Sequence, residues 1–170
     1  IAATEMEFYL VDERKTSLLP PINPISRKRL STSDVLGISE LDYFDDFFND
    51  LQHGCEQTGI SIQSITSESG CGQFEVTLKH CDALTASDDA WLFKLLTKGL
   101  ARKHNIAATF MAKPYLKDVG NGMHIHFSII DRNGKNIFNN DKNEGSKLLK
   151  SAVAGCLQCL QGSTLIFAPF

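Results

Sequence analysis

Three stretches of this chain alternate strictly between apolar and polar residues, and each puts ionisable groups on its polar side. Over 4–11, Met6, Phe8 and Leu10 face one way while Glu5, Glu7 and Tyr9 face the other. Over 73–79, Phe74, Val76 and Leu78 point inward, and Gln73, Glu75 and Thr77 outward. Over 122–130, Met123, Ile125, Phe127 and Ile129 share one face, and His124, His126 and Ser128 the opposite one. A period of two is the signature of a strand, and residues two apart lie about 6.6 Å from each other on one face. Glu5 and Glu7 are therefore a same-face carboxylate pair, and His124 and His126 a same-face imidazole pair. Glu75 stands on a third such face, with Glu68 just before it across a Gly70-Cys71-Gly72 turn.

The rest of the pattern alternates with these strands. Residues 14–33 hold three prolines (Pro20, Pro21, Pro24) and five basic residues (Arg14, Lys15, Arg27, Lys28, Arg29) and read as an exposed, irregular excursion. Its basic cluster suits an anion or simply a solvated loop. Ser39 and Asp42 flank a helix start, and Leu41, Phe44, Phe48, Leu51 and Cys55 form one stripe ending at Gly59. Ile60, Ile62 and Ile65 predict a strand. Thr85 with Asp88 marks a second helix start, with Leu92, Leu95, Leu96, Gly99 and Leu100 inward and an end near His104. A short strand is expected over 107–111. Asn133-Gly134 is a two-residue hairpin signal that should return the chain through 136–138. A last helix over 146–161 precedes a strand-like stretch over 164–167. Clustered strands and helices with a hairpin favour α+β with a mainly antiparallel sheet over a doubly wound one.

Composition narrows the function. With 170 residues, 42% hydrophobic and 22% charged, the chain has the make-up of one globular domain. A net charge of −3 argues against a nucleic-acid partner, which calls for a clustered basic face. No apolar run reaches the roughly 18 residues of a membrane span, and the first residues lack the basic region of a signal peptide. Cys55, Cys71, Cys81, Cys156 and Cys159 are an odd, scattered set. They read as reduced thiols in a cytoplasmic protein, with Cys156 and Cys159 as core residues of the last helix.

Carboxylates and imidazoles gathered on one sheet face repel or desolvate one another unless a cation sits among them. Magnesium or manganese suits an oxygen-rich set, and manganese tolerates an imidazole. Carboxylate-held Mg²⁺ keeps positions open for phosphate oxygens, which points to phosphoryl transfer. A single E-x-E or H-x-H is equally at home on a solvated edge, so the inference needs the three strands to be neighbours. Gly120-Asn121-Gly122 is both a tight turn into a strand and a loop whose N–H groups can approach an anion. No P-loop or G-x-G-x-x-G is present.

Glu5-Met6-Glu7-Phe8, Glu68-Ser69-Gly70-Cys71-Gly72-Gln73-Phe74-Glu75, Lys113-Pro114 and Gly120-Asn121-Gly122-Met123-His124-Ile125-His126-Phe127-Ser128 resemble, in order and spacing, the catalytic domain of the glutamine synthetase family. So does the connecting stretch over 82–111. The resemblance implies an α+β fold, a mainly antiparallel curved sheet packed with α-helices. It implies ATP as a substrate, Mg²⁺ or Mn²⁺, and phosphorylation of the glutamate γ-carboxylate before ammonia or an amine displaces the phosphate. By motif, Glu7, Glu68 and Glu75 match the carboxylates of one metal site. Glu5 and His124 match ligands of a second, nearer the ATP γ-phosphate. Gly120 matches a glutamate-contacting loop glycine, and His126 and Ser128 match ATP contacts.

Within the family, 3–11 and the Pro-rich basic excursion are more similar to the γ-glutamylputrescine (γ-glutamyl-polyamine) ligase branch. Cys71 stands where a proline is usual, and Val119 where Asn or a small residue is usual; both bear on loop geometry. Family enzymes are several hundred residues long. Residues 1–170 are therefore expected to be part of a catalytic domain, without the small N-terminal β domain or the C-terminal half, and inactive alone. The whole protein is expected to be a homo-oligomeric ring in the cytoplasm, acting on glutamate and an amine or ammonia, with no nucleic-acid or membrane partner. The competing expectation is a non-catalytic divalent-metal-binding or assembly module on the same scaffold.

Overall fold

A computed structural model describes residues 1–12, 17–142 and 144–167. Arg14 and Lys15 of the basic excursion lie outside them. The chain divides into two compact units, Ala2–His126 and Ile1 with Phe127–Phe170.

The larger unit is built on β1 (Ala2–Val11), the central strand of its sheet. The strand β3 (Gln73–Leu78) pairs with it antiparallel, setting Glu7 opposite Glu75 and Phe8 opposite Phe74. The strand β2 (Ile62–Ser67) extends the sheet beyond β3, again antiparallel. The strand β4 (Ala107–Thr109) pairs antiparallel with the last three residues of β1, and β5 (Met123–Phe127) also pairs with β1. The expected strands are thus neighbours, and the fold is α+β with antiparallel pairing.

Period-two patterning explains the core. Met6, Phe8, Leu10, Phe74, Val76 and Leu78 are all buried on one side of the sheet. Phe8 lies at its middle, 5.2 Å from the Phe110 ring and 6.3 Å from Phe93. Each such ring, removed from water, contributes about 2 kcal/mol or more. Against them pack the helices α1 (Ser39–Tyr43), α2 (Asp45–Thr58) and α3 (Ala83–Lys103). Phe44 interrupts what the stripe predicts as one helix; Phe47, Phe48, Leu51 and Cys55 form the buried face of α2. Gly59 closes α2 at φ +81°, the left-handed conformation that glycine adopts without steric cost.

Three local expectations in this unit are corrected. The cap of α3 is Asp82, not Thr85; its carboxylate accepts from the N–H groups of Leu84 and Thr85. Tyr9 and Gln73, on the polar side of the alternation, are as buried as the core. The inward face of α3 is Ala86, Ala90, Phe93, Thr97, Leu100 and Ala101, while Leu92 and Leu95, expected inward, are exposed and Gly99 faces open space.

In the smaller unit, the 131–135 turn differs from the two-residue form. Gly134 N–H donates to Asp131 O and Asp131 N–H to Lys135 O, with Gly134 alone at positive φ (+79°). This is a type I turn followed by a left-handed glycine. The return is a single bridge, Ile130 to Asn136, rather than a strand. The helix α4 runs Lys147–Phe167, so 164–167 is helical: Gly162 is carried within the helix rather than ending it, and the Thr164 hydroxyl donates back to Leu160 O at 3.1 Å. No described residue of α4 is buried, and Cys156 and Cys159 are exposed rather than core. Among the described residues, no helix is long and apolar enough to cross a membrane.

Candidate metal centre

The polar side of β1 meets that of its neighbours around Glu5. One Glu5 oxygen lies 3.1 Å from His124 Nδ1 and the other 2.8 Å from His126 Nε2. Glu75 completes the group: one ligand atom each from Glu5, Glu75 and His124 lie within 4.8 Å of one another. Two carboxylates and an imidazole at that spacing fit a hard divalent cation, manganese in particular. Burial, and then the nearby charges of Glu5, Glu68 and Glu7, push the Glu75 carboxyl up, while His124 opposes them. A cation among these groups would reverse that penalty.

Glu7, directly across from Glu75, is held differently. Its Oε2 accepts from Gly122 N–H at 2.9 Å and from Gln73 Nε2 at 3.0 Å. A Cβ at Gly122 would lie 2.7 Å from Glu7 Oε1, so any larger residue here displaces the tip of that carboxylate. Glu68 begins the turn into β3: its N–H donates to Gln73 O, and its Oε2 accepts from Ser69 N–H. Among the described residues, the three-ligand group contains neither Glu7 nor Glu68. The geometry therefore joins Glu75 to Glu5 and His124, across the division of ligands that the family motifs imply.

The loop before β5 is fastened to the sheet. Gly120 O accepts from Gln73 Nε2 at 3.0 Å, and Asn121 Nδ2 donates to Met111 O at 2.9 Å. The Tyr9 hydroxyl donates to Val119 O at 2.8 Å. Burial, with Asp118 next, raises the Tyr9 pKa, so this hydroxyl stays protonated as a donor. His126 sits on Glu5. Ser128 belongs to the smaller unit, where its backbone bonds with Ile1 in both directions. Cys71, in the proline position of the turn, has its thiol pushed up to about 11 by burial and by Glu40 and Asp118; it is an inert thiol at neutral pH.

Sequence reasoning missed Gln73 and Tyr9 as members of this site. The available signal was their place: Gln73 shares a face with Glu75, and Tyr9 with Glu5 and Glu7.

An antiparallel α+β scaffold carrying such a face is the fold of glutamine synthetase-like catalytic domains. Ligand-free GmaS superposes with a TM-score of 0.86 at 26% identity, covering 99% of this chain and 39% of that one. Glutamine synthetase of Plasmodium falciparum superposes at 0.81 and 25% identity, over 96% and 37%. The chain belongs to the glutamine synthetase family: the family's catalytic-domain model matches residues 1–170. Gamma-glutamylputrescine synthetase PuuA of Escherichia coli (strain K12) is 38% identical over 99% of this chain and 37% of its own length. Glutamate–isopropylamine ligase of Pseudomonas sp. is 32% identical over 99% and 37%. The chain spans less than two fifths of the length of these curated relatives.

Proposed function

We propose that this chain is the metal-binding part of the catalytic domain of an ATP-dependent ligase that joins the γ-carboxylate of glutamate to an amine, through a γ-glutamyl phosphate. The acceptor class is a polyamine such as putrescine, with ammonia as the alternative. The observation that carries the reading is the gathering of Glu5, Glu75 and His124 within one cation's reach on adjacent strands. The 38% identity to a γ-glutamylputrescine synthetase supports the polyamine branch.

Glu5, Glu75 and His124 would hold one Mg²⁺ or Mn²⁺, and Glu7 with Glu68 would serve a second, shared with Glu75. Bound there, divalent ions neutralise phosphate oxygens as phosphoryl moves. Glu7 presents one free oxygen, since the other is engaged by Gln73 and Gly122. Gly120 orients glutamate through its backbone, and His126 and Ser128 contact ATP. His126, bonded to the other oxygen of Glu5, keeps that carboxylate aimed at the cluster. The whole protein is a cytoplasmic homo-oligomeric ring, to which these residues are one contribution, so the 1–170 chain alone is inactive.

The test uses the whole protein with ATP, glutamate, Mn²⁺ and a panel of putrescine, longer polyamines, short alkylamines and ammonia. The expected result is one amide per phosphate released, dependent on both glutamate and amine. Mn²⁺ binding with no amide from any acceptor would overturn the ligase in favour of a metal-binding or assembly module.

A further inference from the structure

The side chain of Gln73 is buried (1% exposed) on the polar side of the sheet, where a long amide is costly unless every polar atom is paired. It is paired completely. Its Oε1 accepts from Gly70 N–H at 3.0 Å, in the turn that follows Glu68. Its Nε2 lies 3.0 Å from each of Glu7 Oε2, Gly120 O and Asn121 Oδ1. The single donor on one end and three acceptors on the other fix the amide's orientation. One side chain thus ties three separate pieces of chain: the turn between Glu68 and Glu75, the Glu7 carboxylate and the Gly120–Gly122 loop.

From this geometry we infer that Gln73 is a positioning residue that locks the Glu7 carboxylate to the Gly120 loop, so that metal ligand and substrate loop are held as one unit. Both halves rest on the proposed function above, which gives Glu7 to a metal and Gly120 to glutamate; Mn²⁺ binding and amide formation are read separately for that reason. Glu7 Oε2 receives two N–H donors, which leaves Oε1 as its ligating oxygen. Without the Gln73 donor, the carboxylate rotates about a single remaining bond to Gly122, and the Gly120 carbonyl loses its tether to the sheet. Partners that orient metal ligands in this way are worth about 10–100-fold in metal affinity or activity.

The experiment compares the whole protein with Gln73→Met, which keeps the volume and removes every hydrogen bond, and Gln73→Asn, which keeps an amide one methylene too short. Mn²⁺ affinity is read by calorimetry, and KM for glutamate and for ATP by amide formation, alongside thermal midpoint and oligomeric state. The expected result is Mn²⁺ binding weakened by about tenfold or more, a raised KM for glutamate and an unchanged KM for ATP, in both variants. A purely structural role would lower the thermal midpoint and the active fraction and leave these constants as they were. Unchanged Mn²⁺ affinity and glutamate KM in either folded variant overturns the inference, as does a wild type that binds no Mn²⁺. A wild type that binds Mn²⁺ in a Gln73-dependent way but forms no amide overturns the ligase reading alone.

Discussion

The Tyr9 hydroxyl donates to the Val119 carbonyl at 2.8 Å, joining the central strand to a loop 110 residues further along the chain. The ring is fully buried and meets Tyr115 edge-on at 5.2 Å. Tyr9→Phe keeps the packing and leaves Val119 O without this donor. The expected cost is about 1 kcal/mol, or a fall of about 2–4 °C in thermal midpoint. Amide protection at 119–122 should fall with it in hydrogen exchange; unaltered protection there would show that the loop is held by its other contacts.

The same tyrosine dictates Gly70. A Cβ built on Gly70 would lie 1.9 Å from the Tyr9 hydroxyl oxygen and 2.4 Å from the ring carbon bearing it. The ring has nowhere to go, so Gly70→Ala must shift the turn. A loss of about 1–3 kcal/mol in denaturant unfolding is expected, typical of overpacking. Gly99, whose added Cβ would meet open space, is the control, and Gly99→Ala should be neutral or stabilising.

Gly122→Ala separates metal binding from stability. Its new methyl group would press on Glu7 Oε1, a side-chain tip that can move, but only by giving up its bonds to Gly122 and Gln73. Mn²⁺ affinity should drop by about tenfold while the thermal midpoint of the metal-free protein changes little. Equal Mn²⁺ affinity in variant and wild type would remove Glu7 from the ligand set.

Glu40 supplies a pH signature. It is buried, one oxygen accepts from Asp34 N–H at 3.0 Å, and the other has no hydrogen-bond partner. Burial raises its pKa above the ordinary 4.5, against the bond from Asp34, with the Asp34 charge adding to the rise. The folded state therefore holds this proton more tightly than the unfolded one. Its contribution is greatest below 4.5 and is lost as pH rises through the raised folded value. Glu40→Gln keeps the acceptor and cannot ionise. The thermal midpoint of the wild type relative to the variant should fall as pH rises from about 4.5 through the raised folded value; a constant difference throughout that rise would refute the assignment.

Much of the scaffold was legible because strand alternation is a local property. Phe8, Phe74 and Val76 are core by the same count of two that places Glu5, Glu7 and Glu75 together. Legibility failed where the answer depended on what else was near. Gln73 and Tyr9 obey the alternation yet are buried, because a loop beginning at Val119 covers them. Cys156 and Cys159 have core spacing, but no described residue of α4 is buried. Residues 164–167 are rich in strand-forming types, and the helix that precedes them simply continues.

By itself the sequence determined the three alternating strands, their polar faces and the kind of ion those faces suit, since side-chain direction along a strand and the hardness of a ligand are set residue by residue. Only the tertiary structure decided which candidate ligands meet. Glu75 joins Glu5 and His124 because β3 and β5 both pair with β1, while Glu7, one step along the same face, is engaged by Gln73 and Gly122. Register and hydrogen-bond competition act between residues tens of positions apart, and no local pattern encodes which donor reaches a carboxylate first.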